Sequence, residues 1–320
     1  MSRRSRKTKF SLPTLLLALL VIAGAFFANR EGWLDGLTSL DGASSTVLSL
    51  SKKAQVYFID VGQGDSELIR LKQEDGSPFD ILIDAGTRST KQELSDFLHD
   101  LGVEDLDIVI GTHPHEDHIG GMAQILQDFP VETLYLPEIC DSMTPTTRTY
   151  ENMLDAIDEK QVTVRTAAAG DVLFQSDSIS FSVLSPSRDD YDNLNDFSIV
   201  TRLVVGETSF LFQGDAEADV EAEILDAGYD VSCDVLKLGH HGSSTSSSEA
   251  YITAASPKNA VISCGVSNDY GHPHAETLDL MEKLNINMYR TDEQKTLLAE
   301  TDGKTIEWET GLFSVIDAAG

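Results

Sequence analysis

One stretch of the chain reads Thr112-His113-Pro114-His115-Glu116-Asp117-His118-Ile119-Gly120-Gly121, and it directly follows the apolar run Ile108-Val109-Ile110. It places three histidines and an aspartate within six positions, although the 320 residues contain only 8 histidines. A buried strand that ends in such a turn directs several side chains toward one point. Imidazole and carboxylate groups together suit zinc, iron or manganese. The stretch therefore predicts a metal site, in which the first two histidines bind one ion while Asp117 and His118 bind a second.

The glycines that close this motif fit the same interpretation. Residues without a side chain let the backbone pass close to a site and begin a helix without a clash. The competing interpretation is a solvated loop that happens to contain histidines. Such a concentration is improbable by chance, and further acid and histidine motifs occur downstream. We treat the motif as a hypothesis that depends on those partners.

The charge of the chain is strongly acidic and unevenly distributed. Asp and Glu number 53 against 23 Lys and Arg, which gives a formal net charge of −30 at pH 7. Six of the basic residues lie within residues 1–30, where no acidic residue occurs. An acidic surface repels polyanions, so nucleic acid is a disfavoured partner, although metals or a local basic patch would permit it. No obligate protein partner is inferred.

The three cysteines do not form a disulfide framework. Cys140, Cys233 and Cys264 are few and widely spaced, and none belongs to a Cys-x-x-Cys pair. Cys233 and Cys264 adjoin apolar runs, so we predict that both are buried free thiols.

The N-terminal region is predicted to direct export. Residues 1–11 form a basic segment, and residues 12–28 are almost unbroken apolar sequence at the short end of membrane-spanning length. Basic residues before an apolar segment are typical of a signal peptide or of an anchor whose basic end stays in the cytoplasm. We expect an anchor on the outer face of the cytoplasmic membrane, or a secreted protein if the segment is cleaved. Residues 29–53 are predicted to be a linker and residues 54–320 the folded domain.

Strands and helices alternate along the folded domain without an obvious repeat, which indicates a layered α/β fold. Helical spacing of apolar residues predicts helices over 91–101, 122–128, 147–160, 216–227 and 277–284. Apolar runs predict strands over 56–61, 68–71, 81–86, 107–111, 131–136, 162–165, 179–184, 199–205, 209–212 and 235–238, with short strands up to residue 308. Residues 243–248 are predicted to be a flexible polar run without the context of a serine nucleophile.

Two downstream motifs each place metal-ligand residues after a predicted buried strand. Asp215 follows the strand over 209–212 and precedes a helix, and His240-His241-Gly242-Ser243 follows the strand over 235–238. A lone Gly-Asp pair would equally suit a helix N-cap. Because the upstream histidine motif needs partners, we interpret Asp215 as a ligand whose two oxygens can bridge two cations.

Together these motifs resemble those of the metallo-β-lactamase superfamily, whose members hold one or two metals between two sandwiched sheets. The stretches 58–66 and 263–273 are similar to the branch of hydrolase domains related to the competence protein ComEC. The resemblance implies an αββα sandwich, here preceded by one membrane segment. It implies that Asp215 bridges the metals and that His240 or His241 supplies the last ligand, while the other orients it or touches substrate. Asp84 would orient the metal loop.

One ligand of many superfamily members is missing. Those members carry a further histidine between the first motif and the bridging aspartate, but here none lies between His118 and His240. The segment 195–198 occupies that place and resembles an Asn-x-x-Ser motif of the ComEC-related branch. Asn195 or Asp196 would ligate there, or water would take the place. The departure argues against β-lactamase or glyoxalase activity.

The residues predict hydrolysis by metal-activated water with two divalent ions. Zinc is the first expectation for their identity and manganese the second. The expected substrate is an anionic phosphoester, foremost a phosphodiester and including a nuclease substrate, with phosphorylcholine or other envelope phosphoesters as alternatives. A metal-binding exported protein with weak or no activity is the competing function. Predicted metal ligands are His113, His115, Asp117, His118, Asp215, His240 and His241. Predicted catalytic residues are Asp117, Asp215, Lys237 and His272. Predicted substrate-binding residues are Asn195, Ser198, Ser243, Asn268, Tyr270 and His272.

Overall fold

A computed structural model describes residue 50, residues 52–313 and residues 315–318 of the chain. The predicted membrane segment 12–28, and all but residues 50, 52 and 53 of the predicted linker, lie outside these residues. Within the described part, no helix combines the length and the apolarity needed to cross a membrane.

Fifteen strands in the described part form two mixed sheets. Their bounds are β1 Ala54–Phe58, β2 Glu67–Lys72, β3 Pro78–Ile83, β4 Leu106–Ile110, β5 Val131–Leu136, β6 Val164–Thr166, β7 Val172–Gln175, β8 Ile179–Ser185, β9 Val200–Val205, β10 Thr208–Phe212, β11 Val235–Lys237, β12 Asn259–Ile262, β13 Asn287–Arg290, β14 Thr296–Thr301 and β15 Ile306–Leu312. The first sheet has the order β15-β14-β1-β2-β3-β4-β5-β6, and the second has the order β13-β12-β11-β10-β9-β8-β7. Strands β3 to β6 are parallel to one another, as are β10 to β13.

The helices cover the outer faces of both sheets. Their bounds are α1 Lys91–Asp100, α2 Glu116–Ile119, α3 Met122–Asp128, α4 Arg148–Lys160, α5 Ala218–Asp226, α6 Glu249–Ala255, α7 Ala275–Lys283, α8 Thr291–Gln294 and α9 Val315–Ala318. Helices α1, α3 and α4 pack on the first sheet, and α5, α6 and α7 on the second.

The hydrophobic core forms three layers, one between the two sheets and one between each sheet and its helices. Alternate residues of a strand point into different layers. In β1, Val56 and Phe58 face the layer between the sheets, whereas Tyr57 faces the helices outside. In β11, Val235 faces inward and Leu236 faces the helices of the second sheet. Alternate residues of one strand therefore serve different layers. The predicted αββα sandwich is confirmed.

Several predicted boundaries differ from those in the structure. The helix predicted over 147–160 begins at Arg148, because the hydroxyl of Thr147 caps it by accepting a hydrogen bond from the backbone N–H of Tyr150 at 3.3 Å. The helix predicted over 216–227 spans only Ala218–Asp226. Strands β7 and β12 and helix α6 were not predicted.

The serine-rich run 243–248 is not the flexible segment that its polar sequence predicts. Ser243, Ser246 and Ser247 are buried. The carboxylate of Glu221 accepts hydrogen bonds from the backbone N–H groups of Ser247 and Ser248 at 2.6 and 2.8 Å. A buried acid on α5 therefore anchors this loop, which an inspection of local composition cannot reveal.

Candidate metal centre

Loops that follow the carboxyl ends of parallel strands build the site. Strands β3 and β4 lead to Asp84 and to the histidine motif, while β10, β11 and β12 lead to Asp215, to the pair His240-His241 and to the loop that contains His272. The carboxyl ends of parallel strands meet at one edge of a sheet, and side chains from both sheets meet there across the sandwich.

Asp84 orients the histidine motif. Its Oδ1 accepts a hydrogen bond from the backbone N–H of Thr112 at 2.8 Å, and its Oδ2 lies 2.7 Å from Nδ1 of His118. The carboxylate is fully buried, with a left-handed backbone φ of 57°. Because a carboxylate accepts, His118 carries its proton on Nδ1 and presents Nε2 to the site. Asp84 thus has the orienting place that the resemblance implied.

Asp215 lies at the centre of the histidines, and its two oxygens face different partners. Oδ1 lies 3.2 Å from Nε2 of His118 and 3.7 Å from Nε2 of His241. Oδ2 lies 3.8 Å from Nε2 of His113 and 3.7 Å from Nε2 of His240. Burial opposes ionisation of this carboxyl, but the surrounding histidines hold its pKa well below the ordinary value. This arrangement suits a carboxylate that bridges two cations.

Two groups of ligand atoms share Asp215. Asp65, His118, Asp215 and His241 form one group, and His113, His115 and Asp215 form the other, with the ligand atoms of each group within 4.8 Å of one another. Three atoms of the first group, Oδ1 of Asp65, Nε2 of His118 and Oδ1 of Asp215, are buried without a hydrogen-bond partner. Buried polar atoms are otherwise almost always paired. Such donors fit a divalent cation in each group.

Asp117 lies beside the first of these groups. Its Oδ2 is 3.2 Å from Nε2 of His241, and the side chain lines the open cavity above the metal groups. Burial opposes ionisation, but the nearby imidazoles of His118 and His241 lower the pKa of Asp117. The structure therefore brings together all seven residues that the sequence predicted as metal ligands.

The two adjacent histidines of the second motif have different surroundings. His241 is buried, and its Nδ1 lies 3.0 Å from the carbonyl oxygen of Ser263, so Nε2 is directed into the first group. His240 faces the cavity, with Nδ1 3.1 Å from Oγ1 of Thr245 and 3.3 Å from Oε1 of Glu217. Both histidines have left-handed backbones, with φ of 50° and 53°. Such conformations are strained for residues with a Cβ.

Lys237 is placed behind the metal groups. Its Nζ donates to Oδ2 of Asp65 at 2.7 Å and to the carbonyl oxygen of Leu238 at 3.1 Å, and both charged side chains are 1% exposed. Burial opposes both charges, but the pairing lowers the pKa of Asp65 to about 2 and raises the pKa of Lys237. The expected contact of Lys237 with an anionic substrate is therefore not supported, because its ammonium is committed to a buried carboxylate.

An open cavity of about 480 Å³ lies over the metal groups. It contains three of the predicted substrate-binding residues, Asn195, Tyr270 and His272. Burial and then the neighbouring imidazoles lower the pKa of His272 to about 4, so this side chain is neutral at physiological pH. The cavity is lined by Gln63, Thr87, His115, Glu116, Asp117, Asn195, Asp215, His240, His241, Tyr270 and His272.

Three other residues predicted to bind substrate do not line this cavity. Ser198 is buried, and its hydroxyl accepts a hydrogen bond from the backbone N–H of Asp215 at 3.0 Å. Asn268 donates to the carbonyl oxygens of Gly265 and His272 at 3.0 and 2.6 Å. The side chain of Ser243 is also buried. These groups hold the backbone of the site, and their contacts with substrate stay predictions.

Asp65 and Glu217 were not predicted as site residues. Asp65 ends a Gly-x-Gly-Asp turn after β1, and its backbone N–H donates to the carbonyl oxygen of Asp117 at 3.1 Å, which joins the two loops. Glu217 lies two residues after Asp215 and contacts His240. A polar turn after an apolar strand was a visible signal for Asp65, because the histidine motif itself has that form.

The sequence profile of the metallo-beta-lactamase superfamily matches residues 60–266, a range that contains both metal groups. The chain belongs to this superfamily. It is also similar to ComE operon protein 3 of Bacillus subtilis, with 35% identity over 264 residues, which cover 78% of this chain and 33% of that protein. Competence protein ComA of Neisseria gonorrhoeae is 31% identical over 244 residues, covering 75% and 31%. The predicted resemblance to the ComEC family is confirmed, and the chain spans about a third of the length of these relatives.

A solved structure of similar fold is CmlA, a diiron β-hydroxylase from Streptomyces venezuelae. The TM-score is 0.50 at 14% identity, with 75% of this chain and 53% of CmlA covered. At this identity the likeness concerns the fold alone.

Proposed function

We propose that this protein is an exported phosphodiesterase that depends on two divalent metal ions, zinc before manganese. The observation that carries the proposal is Asp215, whose two oxygens face two separate histidine groups beneath an open cavity. The similarity to ComEC-family proteins supports a phosphodiester as the substrate. Residues 12–28 would anchor the protein to the outer face of the cytoplasmic membrane, or be removed to release it.

The two metal positions would share Asp215, and each would have further residues of its own. His113, His115 and Asp215 would hold one ion, and Asp117, His118, Asp215 and His241 the other, with Asp65 beside it. When bound, the two ions would supply Lewis acidity, lower the pKa of a water molecule and attract the anionic phosphoryl group. In the hydrolysis, the water oxygen forms a bond to phosphorus, the ester P–O bond breaks, and the leaving oxygen takes a proton.

The remaining cavity residues would hold the substrate. His240 and His272 line the cavity at the metal groups, and an imidazole N–H can donate a hydrogen bond to a phosphoryl oxygen. Tyr270 is 68% exposed and stacks on His272 with ring centroids 5.6 Å apart, which provides an aromatic surface for the alcohol part of a substrate. Lys237 would act only through Asp65.

The cavity favours a substrate with few charges. No lysine or arginine is among its lining residues in the described part of the chain, and Glu116 and Asp117 add negative charge. A long nucleic acid would present flanking phosphates to this acidic surface without cationic partners. A small or envelope phosphodiester, with phosphorylcholine esters among the candidates, therefore fits better than DNA.

Turnover of bis-p-nitrophenyl phosphate by the full-length protein tests this proposal. We expect activity that chelation abolishes and that zinc or manganese restores. Asp215→Ala should lose both activity and metal, whereas Asp219→Ala, an exposed aspartate four residues later, should retain both. Metal binding without turnover of any phosphodiester would favour the competing function, an exported metal-binding protein.

A further inference from the structure

The metal group of His113, His115 and Asp215 contains one ligand fewer than the other group, and no histidine from the segment 119–239 is available to complete it. A structural zinc or manganese site usually has at least four ligands, and a catalytic site has three from protein with an open position. The residues near this group therefore decide how the ion is held.

Asn195 occupies the place beside this group. It lies in a short 3₁₀ helix, Leu194–Phe197, and lines the cavity together with His115 and Asp215. The residue is only 6% exposed, so its amide lies at the floor of the cavity and not at its rim.

The hydrogen bonds of Asn195 fix which end of its amide faces the metal group. Nδ2 lies 3.3 Å from Oε1 of Glu217, so this nitrogen donates to a carboxylate. The inverted amide would place its carbonyl oxygen against the same carboxylate, which would be repulsive. Oδ1 is left buried without a hydrogen-bond partner. A buried acceptor without a partner is costly, and a cation satisfies it.

Asp196, the alternative in the same segment, is turned away. Its Oδ1 accepts a hydrogen bond from the backbone N–H of Glu217 at 3.3 Å, next to the start of α5, and the residue does not line the cavity. Asp196 therefore stabilises the start of α5, whereas Oδ1 of Asn195 has no hydrogen-bond partner.

We propose that Oδ1 of Asn195 binds the ion that His113, His115 and Asp215 hold. It takes the place of the absent histidine. Glu217 is a positioning residue, because it holds the amide in the ligating orientation. A carbonyl oxygen is a harder ligand than imidazole. This position therefore discriminates less strongly for zinc over manganese than a position with three histidines.

This inference rests on the metal dependence of the proposed function, but its test requires no turnover. The full-length protein, freed of metal by chelation, is titrated with Co²⁺, Zn²⁺ and Mn²⁺ by calorimetry, and the Co²⁺ absorption spectrum reports the ligands. We expect the wild type to bind two ions. Asn195→Ala should weaken one of the two positions by about tenfold or more and leave the other unchanged. Asp196→Asn, the matched control, should bind both ions as the wild type does.

A second variant keeps the test decisive if Asn195→Ala does not fold. Asn195→His replaces the oxygen by imidazole and should raise the ratio of zinc to manganese affinity at one position by about tenfold, with a changed Co²⁺ spectrum. Unchanged affinities in Asn195→Ala, an unchanged ratio in Asn195→His, or an equal loss in Asp196→Asn would overturn the assignment. If the metal affinities of all variants are as expected but the wild-type protein hydrolyses no phosphodiester, only the proposed function is contradicted.

Discussion

Nδ1 of His118 lies 2.7 Å from Oδ2 of Asp84, and this contact determines that Nε2 of His118 faces Asp215. Asp84 is in turn fixed by the backbone N–H and the hydroxyl of Thr112, at 2.8 and 2.7 Å. The residue that follows β3 therefore orients a histidine in α2, the short helix after β4. An acid that orients a ligating histidine also makes it a stronger ligand.

Asp84→Asn should weaken metal binding about 10- to 100-fold, because an amide can donate to His118 and stabilise the wrong tautomer. Calorimetric titration with Zn²⁺ measures the change. Asp80→Asn is the control in the same strand, since its carboxylate pairs with Arg70 at 2.9 Å. That variant should lose stability but keep its metal affinity, and equal metal loss in both would contradict an orienting role for Asp84.

Lys237→Met should destabilise the fold by about 3–5 kcal/mol, because it leaves the carboxylate of Asp65 buried without its cation. Urea unfolding in the presence of a chelator measures this free energy without a contribution from metal. The double variant Lys237→Met/Asp65→Leu should recover much of the loss, since no buried charge is then left unpaired. A double variant as unstable as the sum of the single changes would argue against a coupled pair.

Gly120→Ala should disrupt the histidine motif although the φ of Gly120 is an ordinary −59°. An added Cβ would overlap the backbone nitrogen of Arg88 and the carbonyl oxygen of Glu116. We expect a loss of about 3 kcal/mol or more and reduced metal content, measured by thermal unfolding and elemental analysis. Gly76→Ala is the comparison, because its added Cβ meets nothing within 4 Å and its φ of 89° alone should cost about 1 kcal/mol.

Iodoacetamide at pH 8 should modify Cys140 alone in the native protein. Burial raises the pKa of the Cys233 and Cys264 thiols to about 12, and the thiolate is the reactive form. Cys140 is partly exposed. Mass spectrometry of digested protein locates the label, and all three cysteines should react after unfolding in urea. Rapid labelling of Cys264 in the native state would show that the site loop opens.

The sequence was sufficient for the sandwich and for most residues of the two candidate metal groups, because both depend on local patterns. Buried strands read as apolar runs, and each metal loop follows one of them. His113 to His118 form a dense motif, and Asp215 and His241 follow strands of the same kind. The family resemblance indicated that Asp215 is a bridging ligand. From the Gly-Asp pair alone, a helix N-cap was equally consistent with the sequence.

The remaining assignments depended on contacts across the sandwich. Asp65 reaches the site only because its loop joins that of Asp117, about fifty residues later in the chain. Lys237 was expected to face substrate, but it follows Leu236 in β11 and so points between the sheets, where Asp65 and Glu67 lie. The orientation of the Asn195 amide depends on Glu217, which local sequence does not connect to it.

The left-handed backbones of His240 and His241 have a consequence for how this protein evolves. Each costs on the order of 1–2 kcal/mol relative to glycine in the same conformation. Glycine in place of the partly exposed His240 would relieve that strain but remove its imidazole. Glycine in place of the buried His241 would also leave a cavity and unpaired carboxylates, which opposes the gain. The persistence of a histidine at position 240 would therefore mark selection for its chemistry over selection for stability. A library saturated at position 240 and screened for thermal resistance alone should lose this histidine, while one screened for turnover should keep it.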